Sequence, residues 1–339
     1  MAKDKRAIGW HIAVEPEFST EMAGTRLGSY FLDTDIAAQT QISCAKKMYE
    51  IFGYGSAENI SINIPCVYSP YVEASILGTK LVYPEDDMPQ IAGRVLKDIK
   101  DVRRIRIPDL QKAPFISDAM EKYNYLQKRY ESTGIGVSKP NIGGGSSVLS
   151  TAISLRGEEL FADMVCEPNA VKDLMEIISQ LETQLTILDQ NIFGIPVNSL
   201  GFEDDFGGLI SPDLHEEMVL PYMKKMCRQF PAKTRSIHSE TYSRRHLKLL
   251  KALEITHYDA WPYRNSLAIQ DILEELPDVP FDWNFETVKD LVYGTPENIR
   301  EKYRACAREG AKGMALNICT RKAKLENIRA FIEVAKEFE

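Results

Sequence analysis

Residues 196–225 read PVNSLGFEDDFGGLISPDLHEEMVLPYMKK and contain one complete β/α unit. The run 196–202 is short and mostly apolar, which predicts a buried strand. It ends in three acids, Glu203-Asp204-Asp205. Ser211-Pro212-Asp213 then predicts the start of a helix, because Ser is a favoured N-cap, Pro fits the first helical position and an acid suits the positive end of the helix dipole. The stretch therefore predicts a strand, a polar strand end and a following helix.

The same alternation continues along the chain. The segment 169–190 carries apolar residues at steps of three and four, and Thr295-Pro296-Glu297 repeats the helix start. Strands that alternate with helices imply parallel pairing, and closing such a sheet gives a (β/α)8 TIM barrel. An open, doubly wound sheet is the alternative. The predicted strands are 59–66, 134–139, 196–202, 234–238, 254–260, 279–283 and 312–318.

These elements predict one domain over residues 1–339. Residues 1–58 are expected to form an irregular N-terminal segment that packs on the barrel. Chemistry on this fold takes place at the carboxyl ends of the strands. The polar residues that follow the predicted strands are therefore the candidates for an active site.

Composition excludes several classes of protein. The 339 residues include 41 Lys and Arg against 49 Asp and Glu, a net charge of −8 with no basic stripe, so we expect no nucleic-acid binding. No run approaches the roughly 18 apolar residues of a membrane span. Six scattered cysteines without a CxxC pair, and no apolar stretch after the first ten residues, predict reduced thiols in a cytoplasmic protein. A small-molecule ligand and a homodimer are compatible with this composition.

His238 and Glu240 form an H-x-E pair at the end of a predicted strand, and Cys319 ends another. Alternate residues of a strand point to the same side, so the imidazole and the carboxylate can converge. Nitrogen, oxygen and sulfur ligands with one open position describe a catalytic zinc site. The alternative is a buried, hydrogen-bonded His238–Glu240 pair with Cys319 in the core.

Other polar and aromatic residues at strand ends are weaker candidates. The acids 203–205 suit a general acid, a metal ligand or a substrate anchor, or else a solvated loop. Aromatic side chains near strand ends are candidate pocket walls, with ordinary packing as the alternative; they are Trp10, Trp261, Tyr263 and Trp283. The remaining histidines are isolated in sequence, and His215 is expected at the surface; they are His11, His215, His246 and His257.

Several stretches together resemble the uroporphyrinogen decarboxylase superfamily, whose fold is a single (β/α)8 barrel. The resemblance is good over the last two-thirds of the chain and poor at the N-terminus. It rests on LISPDLHEEMVLPYMKK at 209–225, His238, YGTPENIR at 293–300, GMALNIC at 313–319 and the helix at 326–332.

The family includes metal-free decarboxylases and corrinoid-dependent methyltransferases. This chain lacks the Arg-rich N-terminal segment of the decarboxylases, and its strand near 59–66 ends in Ile64-Pro65-Cys66 where they place an Asp. The methyltransferases are similar in having a zinc site built from H-x-C and a later Cys. His238 matches their His and Cys319 their later Cys, but Glu240 stands where Cys is usual. Glu203 or Glu217 is an alternative oxygen ligand.

The resemblance implies a zinc-dependent methyltransferase that moves a methyl group from an O-methyl substrate, such as an aryl methyl ether, to a partner corrinoid protein. A carboxylate in place of a thiolate makes zinc harder and suits it to oxygen. Glu203 and Asp205 are the expected catalytic acids, and Asp204, Trp261 and Trp10 the expected substrate-binding residues. The alternatives are transfer from a methylcorrinoid to a thiol or tetrahydrofolate, a metal-free decarboxylase-like lyase and a binding barrel without catalysis.

Overall fold

The computed structural model describes residues 7–64, 71–142, 145–261 and 267–339. The strands are β1 Gly9–Val14, β2 Ser61–Ile62, β3 Leu81–Val82, β4 Gln90–Ile91, β5 Gly136–Val137, β6 Ser199–Glu203, β7 Thr234–Ser239, β8 His257–Ala260, β9 Phe281–Asn284 and β10 Gly313–Ile318. The α-helices are α1 Pro16–Ala23, α2 Leu27–Leu32, α3 Thr34–Phe52, α4 Val72–Ile76, α5 Pro114–Tyr130, α6 Val148–Arg156, α7 Glu159–Cys166, α8 Pro168–Phe193, α9 Pro212–Met218, α10 Leu220–Gln229, α11 Arg244–Leu250, α12 Ile269–Glu275, α13 Pro296–Glu309 and α14 Leu325–Lys336. A π-helix spans Thr287–Tyr293.

Six parallel strands form the main sheet, in the order β1-β10-β9-β8-β7-β6. Residues 145–147 continue this sheet beside β6, since the Glu203 amide donates to the Gly145 carbonyl at 2.7 Å and the Ser147 amide donates to the Glu203 carbonyl at 2.9 Å. β2 pairs in parallel with β5, and β3 forms an antiparallel hairpin with β4. The parallel strands thus follow one another in chain order, as a barrel requires, whereas a doubly wound sheet reverses its order at a switch point. All seven predicted strands are present.

The N-terminal segment is more regular than the sequence indicated. Gly9–Val14 is a full member of the main sheet and pairs with β10 from Gly9↔Gly313 to Val14↔Ile318. Three helices, α1 to α3, follow it before β2. The segment therefore supplies the first strand of the barrel and does more than pack against it.

The helices begin where the capping residues predict. The Ser211 hydroxyl accepts from the Leu214 amide, and the Thr295 hydroxyl accepts from the Asn298 amide. The apolar stripe of α8 is fully buried at Val171, Leu174 and Ile178 and continues to its C-terminal half. These helices cover the outer face of the sheet, so polar inner-face residues at the strand ends are left to form a site.

One buried acid on α8 predicts a pH-dependent stability. Glu182 is 3% exposed, and burial next to Glu73 raises its pKa well above the ordinary value. Because the folded-state pKa is raised, stability is complete below the unfolded-state pKa and falls by up to about 1.4 kcal/mol per pH unit as pH rises toward the folded value. We expect Glu182→Gln to be more stable than the parent chain, by a margin that grows between pH 5 and pH 8 in urea unfolding.

The matched control is Glu176→Gln on the same helix. The pKa of Glu176 is lowered: burial opposes this but is outweighed by hydrogen bonds from Lys225 and Gln180. Glu176→Gln should therefore gain no stability relative to the parent chain as pH rises. If the free energies of unfolding of Glu182→Gln and the parent chain differ by the same amount at every pH, the raised pKa of Glu182 is contradicted.

Within the described ranges, no helix is long and apolar enough to cross a membrane. The cysteines placed there, Cys44, Cys166, Cys227, Cys306 and Cys319, are free thiols.

Candidate active site at the carboxyl ends of the strands

His238 lies at the centre of a polar cluster on the inner face of the sheet. Its register neighbours are Glu203 on β6 and Asp259 on β8. The Nδ1 atom lies 2.7 Å from Asp259 Oδ2, and the Nε2 atom lies 3.3 Å from Asp205 Oδ1. The imidazole is therefore held by one carboxylate on Nδ1 while its Nε2 faces a second carboxylate.

Asp259 fixes the orientation of this histidine. Its carboxylate also accepts hydrogen bonds from Trp261 Nε1 at 3.2 Å and from Asn284 Nδ2. Burial works against ionisation of Asp259, but the His238 hydrogen bond and charge outweigh it and lower the Asp259 pKa. Burial also works to lower the His238 pKa, yet the bond to Asp259 and the charges of Asp259 and Asp205 leave that pKa raised. An Nδ1–H held by a carboxylate leaves Nε2 available as a ligand or base.

Asp205 presents an unusual oxygen to this imidazole. Its Oδ1 atom is buried and has no hydrogen-bond partner. Burial raises the pKa of Asp205 to about 6; His238 opposes this, and the charges of Glu203, Glu240 and Asp204 add to it. An orphaned buried acceptor facing a histidine is a costly arrangement, so it points to a group that binds between the two.

Glu240, Trp261 and Cys319 line one open cavity of about 610 Å³ next to this cluster. The Trp261 ring packs edge-on against His238, with centroids 5.4 Å apart. The opposite wall comes from the segment after β9 and is largely apolar, and it contains Phe285, Thr287, Val288 and Tyr293. Glu240 and Cys319, two of the three expected metal ligands, thus share a cavity with Trp261, an expected pocket wall.

The π-helix 287–293 carries this wall and also contacts Cys319. Thr287 Oγ1 donates to the Asn317 carbonyl at 2.8 Å, so the Cys319 thiol, 3.2 Å away, is the donor to Thr287. Burial raises the pKa of Cys319. Asn327 Nδ2 donates to three carbonyls at the end of the π-helix, at 3.0–3.2 Å, and so satisfies groups that the wide turn leaves unpaired.

Asp204 does not reach the cavity, and its prediction as a substrate-binding residue is wrong. It directly follows β6, is fully buried and points to the outer side of the sheet. Its carboxylate accepts from Ser147 Oγ at 2.6 Å, His215 Nε2 at 2.8 Å and Tyr242 Oη at 2.5 Å. Its amide donates to the His238 carbonyl at 2.9 Å. Asp204 therefore ties β6 and β7 to the helices behind the cluster.

Trp10 also lies away from the cavity. It is the second residue of β1, at the amino end of the strands, where its Nε1 donates to Glu339 and its ring packs on Tyr54 and Phe331. Trp283 is 7% exposed and belongs to the core. Substrate binding by Trp10 is therefore corrected to packing at the far end of the barrel.

Two other expectations change. His215 is 1% exposed and bound to Asp204, so it is not at the surface. Glu217 pairs with Lys172 at 2.7 Å on an exposed helix face, which removes it as an alternative ligand. His257 and His11, which are isolated in sequence, both approach Asp282 in the fold, at 3.0 and 3.8 Å. Cys66 and Tyr263 lie outside the described residues.

Asp259 and Thr287 are site residues that the sequence reasoning missed, whereas Asn284 follows the predicted strand 279–283 and is one of its polar strand ends. Asp259 alternates with Trp261 along one strand face, which is the signal that could have found it. Asn284 ends β9, so the same strand-end rule applies to it. Thr287 lies beyond a strand end and has no comparable signal.

The donor set fits a zinc ion in its chemistry. Two ligands of a tetrahedral zinc with bonds of about 2.0–2.1 Å lie about 3.3–3.4 Å apart, which matches the 3.3 Å between His238 Nε2 and Asp205 Oδ1. As the side chains stand, no group of three or more His, Cys, Asp or Glu in the described ranges is arranged to hold a metal ion. Binding would therefore draw Glu240 or Cys319 toward His238.

The chain is similar to a known protein family and to known structures. The uroporphyrinogen decarboxylase (URO-D) family matches residues 10–338. A structure described as a methyltransferase from Methanosarcina mazei superposes with a TM-score of 0.69 at 13% identity, covering 98% of this chain and 94% of that chain. The Amycolatopsis orientalis BexX/CysO complex reaches a TM-score of 0.30 at 12% identity over 47% of this chain and 62% of that chain, which supports no argument. A search of curated proteins gives no match.

The 0.69 superposition over nearly the whole length shows that the two chains share a fold and confirms the predicted barrel architecture. The family match covers almost every residue of the strands, the helices and the cluster around His238. The chain belongs to the uroporphyrinogen decarboxylase (URO-D) family.

Proposed function

We propose that this chain is a zinc-dependent methyltransferase of a corrinoid system, which moves a methyl group from an aryl methyl ether to the Co(I) centre of a partner corrinoid protein. The observation that carries the proposal is the Asp259–His238–Asp205 arrangement beside an apolar-walled cavity with Glu240 and Cys319. Membership of the URO-D family and the shared fold with a methyltransferase support the reaction class.

His238, Glu240 and Cys319 would hold the metal, and Asp205 is a further carboxylate within reach of the same imidazole. When bound, zinc supplies a Lewis acid that polarises the ether oxygen. A ligand set with one thiolate and at least one carboxylate is harder than a set with two thiolates, which favours an oxygen substrate over a thiol.

The chain's own residues account for binding and proton supply. Trp261 and the wall of Phe285, Val288 and Tyr293 offer the aryl ring an apolar surface on which to pack. As the O–CH3 bond breaks, the methyl group passes to cobalt and the phenoxide oxygen takes one proton. Glu203 and Asp205 lie beside His238 on the same face, which supports a role as proton donor for either acid that does not bind the metal.

The size of the cavity favours a ring-bearing donor. Its volume of about 610 Å³ falls within the roughly 300–1,000 Å³ range of sites for drug-sized ligands. Methanol or methylamine would leave most of this apolar space filled with water. The donor is therefore expected to carry an aromatic or similarly bulky group.

Asp259→Asn is expected to lower zinc affinity about 10–100-fold, because the outer partner of a metal-binding histidine typically contributes this much. An amide accepts one hydrogen bond from His238 but no longer adds a charge. The measurement is competition for zinc with a chromogenic chelator. Asp282→Asn is the matched control, since Asp282 also pairs with a histidine, His257 instead of His238, on the strand next to Asp259. Equal affinities in the two variants would refute the role of Asp259.

Metal content by mass spectrometry tests the ligand set. The parent chain, purified without chelator, should contain about one zinc, and the variants His238→Ala and Cys319→Ala should contain much less. If Glu240→Ala alone keeps its zinc, Asp205 replaces Glu240 as the acidic ligand. A folded parent chain that takes up no zinc would refute the metal-dependent mechanism.

A further inference from the structure

A second cavity lies between β1, β2 and α3, on the opposite side of β1 from β10. Neighbouring strands of a barrel are normally joined by backbone hydrogen bonds. We call the gap between β1 and β2 the seam. Here the side chains of Tyr54 and Gln41 form the hydrogen bonds that a neighbouring strand would otherwise form. The Tyr54 hydroxyl accepts from the Ile12 amide at 2.8 Å and donates to the Ile12 carbonyl at 3.1 Å.

The edge of β2 is closed in the same way. Gln41 Nε2 donates to the Asn63 carbonyl at 3.0 Å, and the Asn63 amide donates to Gln41 Oε1 at 2.8 Å. Each side chain satisfies both polar groups of one residue, so the two strands stay apart without leaving buried groups unpaired. The seam is therefore a stable opening in the wall.

The space between these side chains has a volume of about 280 Å³. Its floor is apolar, with Cys44 and Met48 each 4% exposed and Ile60 5% exposed. Its rim carries further amide and hydroxyl groups, including those of Ser56, Asn59 and Asn63. No charged residue of the described chain lines it, although 27% of the chain is charged.

We propose that this seam cavity binds a small uncharged molecule with one ring and one hydroxyl group. The ring fits the apolar floor, and the hydroxyl finds donors and acceptors at the rim. A charged group would lose its hydration without meeting an opposite charge. The volume is just below the roughly 300 Å³ at which sites for larger ligands begin, so one ring fills it.

The natural ligand of this cavity follows from the proposed function, on which this step rests. Demethylation of an aryl methyl ether releases a phenol, which is an uncharged, one-ring hydroxyl compound. Val14 lines this cavity and pairs in register with Ile318, and the next residue, Cys319, lines the carboxyl-end cavity. A released phenol thus has a second site within a short distance of the first.

Amide NMR titrations with three matched probes test the proposal: benzyl alcohol, benzoate and benzylammonium. Benzyl alcohol should shift the amides of Gln41 and Cys44, and the charged probes should bind there at least about tenfold more weakly. Ala45→Trp, which fills the cavity, should remove these shifts. Ala305→Trp, a partly exposed alanine of α13 outside both cavities, should leave them unchanged.

Each possible result of these titrations supports or overturns ligand binding in the seam cavity without any measurement of transferase activity. Shifts confined to Val288 and Tyr293 would overturn the seam site while leaving the proposed function intact. Equal binding of the three probes would overturn the assignment to uncharged ligands. Shifts at Gln41 and Cys44 that persist in Ala45→Trp would show that the probe binds elsewhere.

Discussion

Replacement of His238 by alanine is expected to remove the bound zinc and to lower methyl transfer by more than about a hundredfold, beyond the range typical for an outer partner of the metal. The imidazole is the group that Asp259 orients and that Asp205 faces, so its loss leaves two carboxylates without their shared partner. The rate of methylcorrinoid formation and the zinc content of the same sample are the measurements. Circular dichroism establishes that the variant is folded.

His11→Ala is the matched control. This histidine also lies on the inner face of the sheet and approaches an acid, but its side chain is 52% exposed and lies toward the amino end of β1. Its zinc content and rate should stay within about twofold of the parent chain. If His238→Ala keeps both its zinc and its rate, the assignment of the site is wrong.

Replacement of Asp204 by alanine is expected to destabilise the fold by about 3–5 kcal/mol, as removal of one partner from a buried polar network does. Three buried donors, on Ser147, His215 and Tyr242, would lose their acceptor at once. Urea unfolding followed by fluorescence measures the change. Asp204→Asn keeps the volume and one acceptor and should recover part of the loss.

Asp213→Ala provides the comparison for Asp204. Asp213 is 85% exposed and pairs with Arg245 at 3.3 Å, so its loss should change stability by less than about 1 kcal/mol. A similarly small effect for Asp204→Ala would mean that the network behind β6 is not a determinant of stability.

The alternation of strands and helices was readable from the sequence because each strand ends in polar residues and several helices carry strong caps. β1 was missed because GWHIAV contains a Gly and a His and has no preceding helix to frame it. Pattern alone identifies a strand best when both flanking elements are distinct. The first strand of the barrel was therefore identified only in the structure.

The errors at the site have three physical causes. Adjacent residues of a strand point to opposite faces, so Glu203 and Asp205 could share the inner face with His238 only if Asp204 did not. Alternation along the strand therefore already assigns Asp204 to the outer face. Trp10 was misplaced because β1 was not recognised as a strand, so neither the outward face of this residue, opposite to that of His11, nor its height along the barrel could be read. Asp259 was missed because a single acid between aromatic residues resembles ordinary packing.

The central claim is methyl transfer from an ether to cobalt, and optical spectroscopy of a reduced corrinoid protein tests it most directly. The zinc-loaded chain is added with a panel of aryl methyl ethers, and with amines and thiols as comparison substrates. We predict conversion of Co(I) to methyl-Co(III) with one phenol released per methyl group, and no conversion with the His238→Ala variant. Absence of methylcorrinoid with every ether in the folded, metal-loaded protein, or reaction only of methylcobalamin with a thiol, would contradict the account.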